Sequence, residues 1–111
     1  MKSKKILIAG EETHLSYEEC IDFAREAITK KNTYEATRWV NRACALDTSR
    51  AEAYNVLGII AEIGHNTLQA QKYYRAAIAL NPTYEPAYNN LRRTTGTRER
   101  GAMDLGASFQ K

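Results

Sequence analysis

The chain has 111 residues, which is enough for one domain and too few for two unrelated ones. Hydrophobic residues make up 43% and charged residues 26%, with a formal net charge of +3, so the composition excludes a wholly disordered chain. Six glycines and two prolines are too few for an all-β domain with many tight turns, and helix is therefore favoured.

Residues 1–15 form a lead-in whose apolar run extends only from Ile6 to Ala9. A secretory signal needs about 7–15 apolar residues, and no other stretch approaches the roughly 18 needed to span a bilayer. Two cysteines, Cys20 and Cys44, are too few for a disulfide-stapled secreted domain, and we expect both to be small buried apolar residues. The sequence therefore predicts a cytoplasmic protein with a partly disordered lead-in over residues 1–15.

An internal repeat organises the rest of the chain. Residues 17–50 align with residues 51–84 with eight identities. The shift between the two ranges is 34 residues, and we call it the repeat period. A truncated third copy follows, because Ala-Tyr-Asn-Val-Leu at 53–57 returns as Ala-Tyr-Asn-Asn-Leu at 87–91. The sequence therefore predicts a repeat domain over residues 16–95: repeat one at 17–50, repeat two at 51–84 and a capping helix at 85–95.

Each repeat carries the signals of two helices. Ser16 and Ser49 each open an S-x-x-E pattern, in which a serine caps the helix and a glutamate three residues later bonds back to the cap. Apolar residues at helical spacing follow each serine, and a polar break then separates them from a second helix. These second helices are predicted at Tyr34–Leu46 and Leu68–Leu80.

The second unit resembles the tetratricopeptide repeat, whose pattern is an aromatic residue, Leu-Gly, an aromatic, then Ala, an aromatic and Pro. The matching residues are Tyr54, Leu57, Gly58, Ala70, Tyr74 and Pro82, with Ala61 at the second aromatic position. The resemblance implies an all-α fold of antiparallel helix-turn-helix repeats, stacked as a short right-handed superhelical solenoid. Gly58 and Ala70 are expected where the two helices of a repeat approach most closely.

Catalytic and metal-binding patterns are missing from the sequence. It has no glycine-rich phosphate loop, no G-x-S-x-G and no Cys or His cluster with metal spacing. We therefore expect a protein that is not an enzyme and needs no cofactor or metal.

The resemblance implies that the first helices of successive repeats line a concave groove for a peptide or helix of another protein. The groove positions carried onto this chain are Glu18, Ile21, Arg25, Ile28, Glu52, Asn55, Ile59, Glu62, Asn89 and Arg93. Asn55 and Asn89 are suited to bonding a partner's backbone, because an amide both donates and accepts. The alternative is that both are polar residues on a solvated face.

The positive charge lies at the C-terminus. Residues 92–111 contain five basic and two acidic residues, whereas residues 1–91 contain 11 of each. We predict a basic flexible tail at 96–111, too sparse in cations and aromatics for nucleic-acid binding. Its apolar residues Met103, Leu105 and Phe109 either dock on a repeat surface of this or another chain, or stay disordered.

Two functions remain open from the sequence. The first is a protein–protein interaction module, an adaptor, scaffold or co-chaperone-like protein that binds its partner in the groove. The second is a structural protein that forms homo-oligomers through the end faces of the repeats or through the tail.

Overall fold

The computed structural model describes residues 14–96 and 101–109, and five helices account for most of them. They are α1 (Tyr17–Thr29), α2 (Thr33–Leu46), α3 (Ala51–Ile63), α4 (Thr67–Leu80) and α5 (Glu85–Thr95). No strand occurs among these residues. The all-α prediction is therefore confirmed.

The repeat period is also present in the helix boundaries. Helices α1 and α3 have 13 residues each, α2 and α4 have 14 each, and each later helix begins one repeat period after its counterpart. The connections repeat as well, because Lys31 and His65 both adopt positive φ, at 61° and 65°. Asn32 and Asn66 then cap α2 and α4, each accepting the N3 amide with its side chain. The sequence repeat is therefore a structural repeat.

Of the two predicted capping boxes, one is confirmed and one is wrong. Ser16 and Glu19 form the full reciprocal pair at the start of α1. At α3 the N-cap is Arg50, which makes no side-chain cap bond. The reason is that Ser49 is bonded elsewhere: its hydroxyl donates to Oδ1 of Asp47 at 2.6 Å, and its amide donates to the same oxygen at 2.9 Å.

The largest core cluster lies between α1, α2 and α3. It contains Cys20, Ile21 and Val40, all fully buried, together with Trp39 at 8% exposure. Cys44 is half-buried and packs against the same cluster. Burial raises the pKa of the Cys20 thiol to about 11, so this sulfur stays protonated at neutral pH.

Helices α3 and α4 approach closely at Gly58. A Cβ placed there would lie 2.4 Å from Cε1 of Tyr74, far inside van der Waals contact. The sequence predicted a close approach between Gly58 and Ala70, but the nearest atoms belong to the Tyr74 ring, which is fully buried. Gly58 therefore makes room for an aromatic ring on the neighbouring helix.

The C-terminal segment, residues 101–109, has no regular secondary structure and lies against the first helices of the repeats. The sequence predicted a flexible tail at 96–111. In the structure, buried side chains of the helices bond the main chain of residues 101–109, a contact that tail composition does not encode. The described residues do not include 97–100, 110 and 111 of the predicted tail or 1–13 of the predicted lead-in.

Candidate functional site

One side of the molecule is formed by α1, α3 and α5, which are the first helices of the two repeats and the capping helix. Helix α3 contacts both α1 and α5. Each of the three supplies a side chain that hydrogen-bonds the C-terminal segment: Arg25 from α1, Asn55 from α3 and Asn90 from α5. We call the surface formed by these residues and their neighbours on the three helices the groove.

Asn55 and Asn90 together hold both main-chain polar groups of Asp104. Each side-chain amide donates to the Asp104 carbonyl, both at 2.9 Å. The Asp104 amide in turn donates to Oδ1 of Asn90 at 2.8 Å. Both asparagines are fully buried, so these bonds satisfy groups that water does not reach.

Arg25 fixes the next stretch of the segment. Its Nε donates to the carbonyl of Leu105 at 2.9 Å, and its Nη1 donates to the carbonyl of Ala107 at 2.7 Å. Nη1 also pairs with Asp22 at 3.1 Å. Arg25 is only 6% exposed, and a charged donor of this kind makes stronger hydrogen bonds than a neutral one. Arg25 therefore binds main chain two residues apart.

The apolar side chains of the segment contact the groove too. Met103 and Leu105 pack against the buried cluster of Ile59, Ala70 and Tyr74. The sequence left open whether these residues would dock or remain disordered, and the structure shows them docked within their own chain.

Phe109 lies close to two arginines. The guanidinium carbons of Arg25 and Arg50 are 5.0 and 5.7 Å from the centre of its ring, within the range of cation–π attraction. The Phe109 amide donates to Oδ1 of Asp22 at 3.2 Å. The segment is therefore bound by its main chain and by side chains at both ends.

Gly106 is the one position where the segment takes up a positive φ, of 86°. A Cβ there would lie 2.6 Å from the Tyr84 hydroxyl and 2.9 Å from Nη2 of Arg25. Burial raises the pKa of Tyr84, so its hydroxyl remains protonated at neutral pH. Both the backbone angle and the space available therefore require glycine.

Among the groove residues predicted from sequence, Arg25, Asn55 and Asn89 hydrogen-bond the segment. Asn89 donates to Oδ2 of the Asp104 side chain at 2.8 Å. Ile59 belongs to the cluster beneath Met103 and Leu105, and Ile28 packs against the same cluster. Ile21 is placed differently, because it is fully buried in the core between α1, α2 and α3.

The predicted acidic positions pair with arginines. Glu18 accepts from Nη1 of Arg50 at 2.7 Å, and this bond lowers the pKa of Glu18. Glu52 lies 3.6 Å from Nε of the same arginine and accepts from the Tyr17 hydroxyl at 3.3 Å. These two glutamates therefore hold Arg50, which in turn contacts Phe109.

Glu62 and Arg93 form a buried ion pair, with side chains 8% and 9% exposed. Glu62 accepts from both terminal nitrogens of Arg93 and from the Tyr74 hydroxyl, the last at 2.8 Å. The bond to Glu62 raises the pKa of Arg93. Because Nη2 of Arg93 also donates to Oδ1 of Asn90 at 3.1 Å, the pair positions the Asn90 amide.

Sequence reasoning missed Asn90, Asp104 and Gly106. Asn90 stands one repeat period after Val56, a core residue, so a polar side chain at a buried register position was the available signal. Asp104 and Gly106 carried no comparable signal, because their roles depend on contacts with helices that are distant in the sequence.

Comparisons with known proteins give no relative: no family model matches the chain, and no curated protein or solved structure does either. Residues 14–96 and 101–109 contain no group of three His, Cys, Asp or Glu side chains placed to hold a metal ion. No helix in this part of the chain is long and apolar enough to cross a membrane.

Proposed function

We propose that this protein is a non-enzymatic interaction module, an adaptor, scaffold or co-chaperone-like protein, that binds a peptide or helix segment of another protein in the groove. The observation that carries the proposal is that Arg25, Asn55 and Asn90, on three different helices, bond the main chain of a segment without regular secondary structure. Main-chain recognition of this kind supplies affinity, and pockets for neighbouring side chains supply selectivity.

The proposal includes a tetratricopeptide-like architecture, with the helix pairs stacked as a short right-handed solenoid. Its support is the repeat period shared by the sequence and the helix boundaries, together with the contact of α3 with both α1 and α5. We also place the protein in the cytoplasm, because both cysteines are free thiols and a reducing compartment keeps them so.

Simple removal of groove side chains is a poor test, because a partner that replaces the C-terminal segment would lose the same contacts as the segment it displaces. A photo-crosslinking amino acid at position 29 of the full chain, expressed in its native cell, avoids this problem. Thr29 is exposed at the end of α1, bonds a carbonyl of its own helix, and lines the same cavity as Leu105 and Gly106 of the segment. The matched control carries the same amino acid at Asn41, an exposed asparagine on α2. Captured peptides are then mapped by mass spectrometry.

The proposal expects one defined segment of another protein at position 29 and a marked excess over position 41. Equal capture at the two positions, or capture at position 29 of the protein's own segment alone, would overturn it.

The second candidate is self-association, which the docked C-terminal segment favours. The same hydrogen bonds and apolar contacts form if the segment of one copy occupies the groove of another. Light scattering over a range of concentrations tests this candidate, and a weight that stays monomeric throughout excludes it. The crosslinking experiment distinguishes the two functions, because exchange between copies gives a covalent dimer joined through residues 101–109.

A further inference from the structure

We propose that the groove selects segments with the pattern apolar–Asp–apolar–Gly, and that the C-terminal segment is a built-in competitor for this site. The proposal rests on the proposed function and names the partner by its chemistry: an extended stretch of another protein with this pattern. The C-terminal segment carries it as Met103-Asp104-Leu105-Gly106.

The aspartate position is recognised through both its main chain and its side chain. Asn89 donates to Oδ2 of Asp104 at 2.8 Å, while Oδ1 accepts the Gly106 amide at 3.0 Å. Arg92 donates to Oδ1 of Asn89 at 2.7 Å, which turns the amide so that its NH₂ group faces the carboxylate. An oriented donor of this kind favours a negatively charged acceptor at this position.

The two apolar positions are recognised by the cluster of Ile59, Ala70 and Tyr74. Met103 and Leu105 both pack against it, one on each side of the aspartate. Ile59 and Tyr74 are fully buried beneath these half-buried side chains, so a polar residue at either position would lose part of its contact with water without gaining a hydrogen-bonding partner in the cluster.

The glycine position is the most restrictive. Any other L-residue at 106 would require a positive φ, and its Cβ would meet the Tyr84 hydroxyl at 2.6 Å. Arg25 is 6% exposed, Tyr84 is half-buried, and Nη2 of Arg25 donates to the Tyr84 hydroxyl at 3.4 Å, so both side-chain ends are held in place. A segment without glycine here is excluded by shape and by backbone conformation together.

The C-terminal segment competes with a partner for the groove because it is covalently part of the same chain. A segment on the same chain is present at an effective concentration of the order of millimolar, so a free segment of equal intrinsic affinity binds weakly until it is abundant. Loosening the built-in segment therefore raises the apparent affinity of the groove for any competitor with the same pattern.

The test uses the full chain and a fluorescent nine-residue peptide with the sequence of residues 101–109. The chain carries Gly106→Ala, which prevents its own segment from fitting, and circular dichroism confirms that the helices are retained. We expect this chain to bind the peptide at least tenfold more tightly, by fluorescence anisotropy, than the unaltered chain does. Gly101→Ala is the matched control, because a Cβ at Gly101 meets nothing within 4 Å.

Peptide variants then test the pattern on the Gly106→Ala chain. Substituting alanine for Asp104, Leu105 or Gly106 in the peptide should each weaken binding at least tenfold, whereas Gly101→Ala in the peptide should leave it unchanged. Equal binding of all peptides, or failure of the parent peptide to bind the Gly106→Ala chain, would overturn the inference. If the crosslinking at position 29 still maps a partner segment in that case, the proposed function survives. If the peptide binds but no partner segment is captured, only that function fails.

Discussion

Asn55 and Asn90 are joined by a side-chain hydrogen bond of 2.8 Å, with Asn90 as the donor, which links α3 to α5 inside the groove. Both residues are fully buried, and their remaining donors are directed at the carbonyl of Asp104. A buried polar network is stabilising only when its members are satisfied. The C-terminal segment therefore completes the network that holds the last helix to the repeat before it.

Replacing Asn90 tests this coupling. Asn90→Ala leaves the Asp104 amide without its acceptor and removes the donor to Asn55, and we expect the free energy of unfolding to fall by about 1–3 kcal/mol. Urea unfolding measures the loss. Hydrogen exchange at the Asp104 amide should become faster relative to amides of α1, which shows that the segment is released before the helices unfold. Asn41→Ala, at an exposed position, is the control, and an equal loss in both variants would contradict the role assigned to Asn90.

The contact between Gly58 and Tyr74 gives a prediction about packing. Gly58→Ala puts a methyl group 2.4 Å from Cε1 of a fully buried ring, and overpacking of this kind costs about 1–3 kcal/mol. Gly64→Ala is the matched control, because its nearest atoms lie at 3.5 Å and its φ is −81°. We expect chemical denaturation to show a loss for the first variant and no loss, or a small gain, for the second. Equal stabilities would show that the Tyr74 ring moves aside freely.

The helices were predictable from sequence because their signals are local. The predicted starts at Tyr34 and Leu68 differ from the observed ones by one residue, and a helix spans Glu85–Thr95, the range predicted for the capping helix. The repeat period also indicated which helices share a face. The failed cap at Ser49 shows the limit of local patterns, because Asp47 competes for the same serine.

The groove was predictable only in part. Arg25, Asn55 and Asn89, predicted to face a partner, hydrogen-bond the chain's own C-terminal segment, whereas Ile21 occupies the same register position as Asn55 and lies in the core. Ile21 on α1 is covered by residues of the next repeat's first helix, α3. Asn89, at the equivalent position on α5, has no such cover, because no described helix follows α5. Docking of the C-terminal segment depends on bonds between residues up to 87 positions apart, often to carbonyl groups, which leave no mark in a sequence.

The repeated turns between helices carry strain that glycine would relieve. Lys31 and His65 hold φ at 61° and 65°, a conformation that costs an ordinary L-residue about 1 kcal/mol or more. We expect Lys31→Gly and His65→Gly each to raise the free energy of unfolding by up to about 1 kcal/mol, as glycine adopts this region without a Cβ penalty. Lys30→Gly is the control, since Lys30 has a φ of −93° and should gain nothing. Thermal unfolding of the three variants measures the difference, and a gain at position 30 as large as at 31 would refute the assignment of strain.

Tyr74 makes stability depend on pH in the alkaline range. Burial, followed by its hydrogen bond to Glu62, raises the pKa of Tyr74 well above its ordinary value of 10.0. Above pH 10 the unfolded chain releases this proton while the folded chain keeps it, so the free energy of unfolding falls as pH rises, by up to about 1.4 kcal/mol per pH unit for this group. Below pH 10 both states keep the proton and its contribution is constant.

Two variants isolate that effect. Tyr74→Phe removes the ionisable group, and its lost bond to Glu62 lowers stability at every pH, so the comparison concerns the slope between pH 10 and 11.5 in urea unfolding. We expect a shallower slope in Tyr74→Phe than in the parent chain. Tyr34→Phe, which removes a phenol from a side chain that is 76% exposed, serves as the control and should keep the parent slope. Identical slopes in all three proteins would mean that the Tyr74 hydroxyl ionises as readily in the folded chain as in the unfolded one. The Tyr74–Glu62 bond could not then be the buried contact that supports Arg93 and, through it, Asn90.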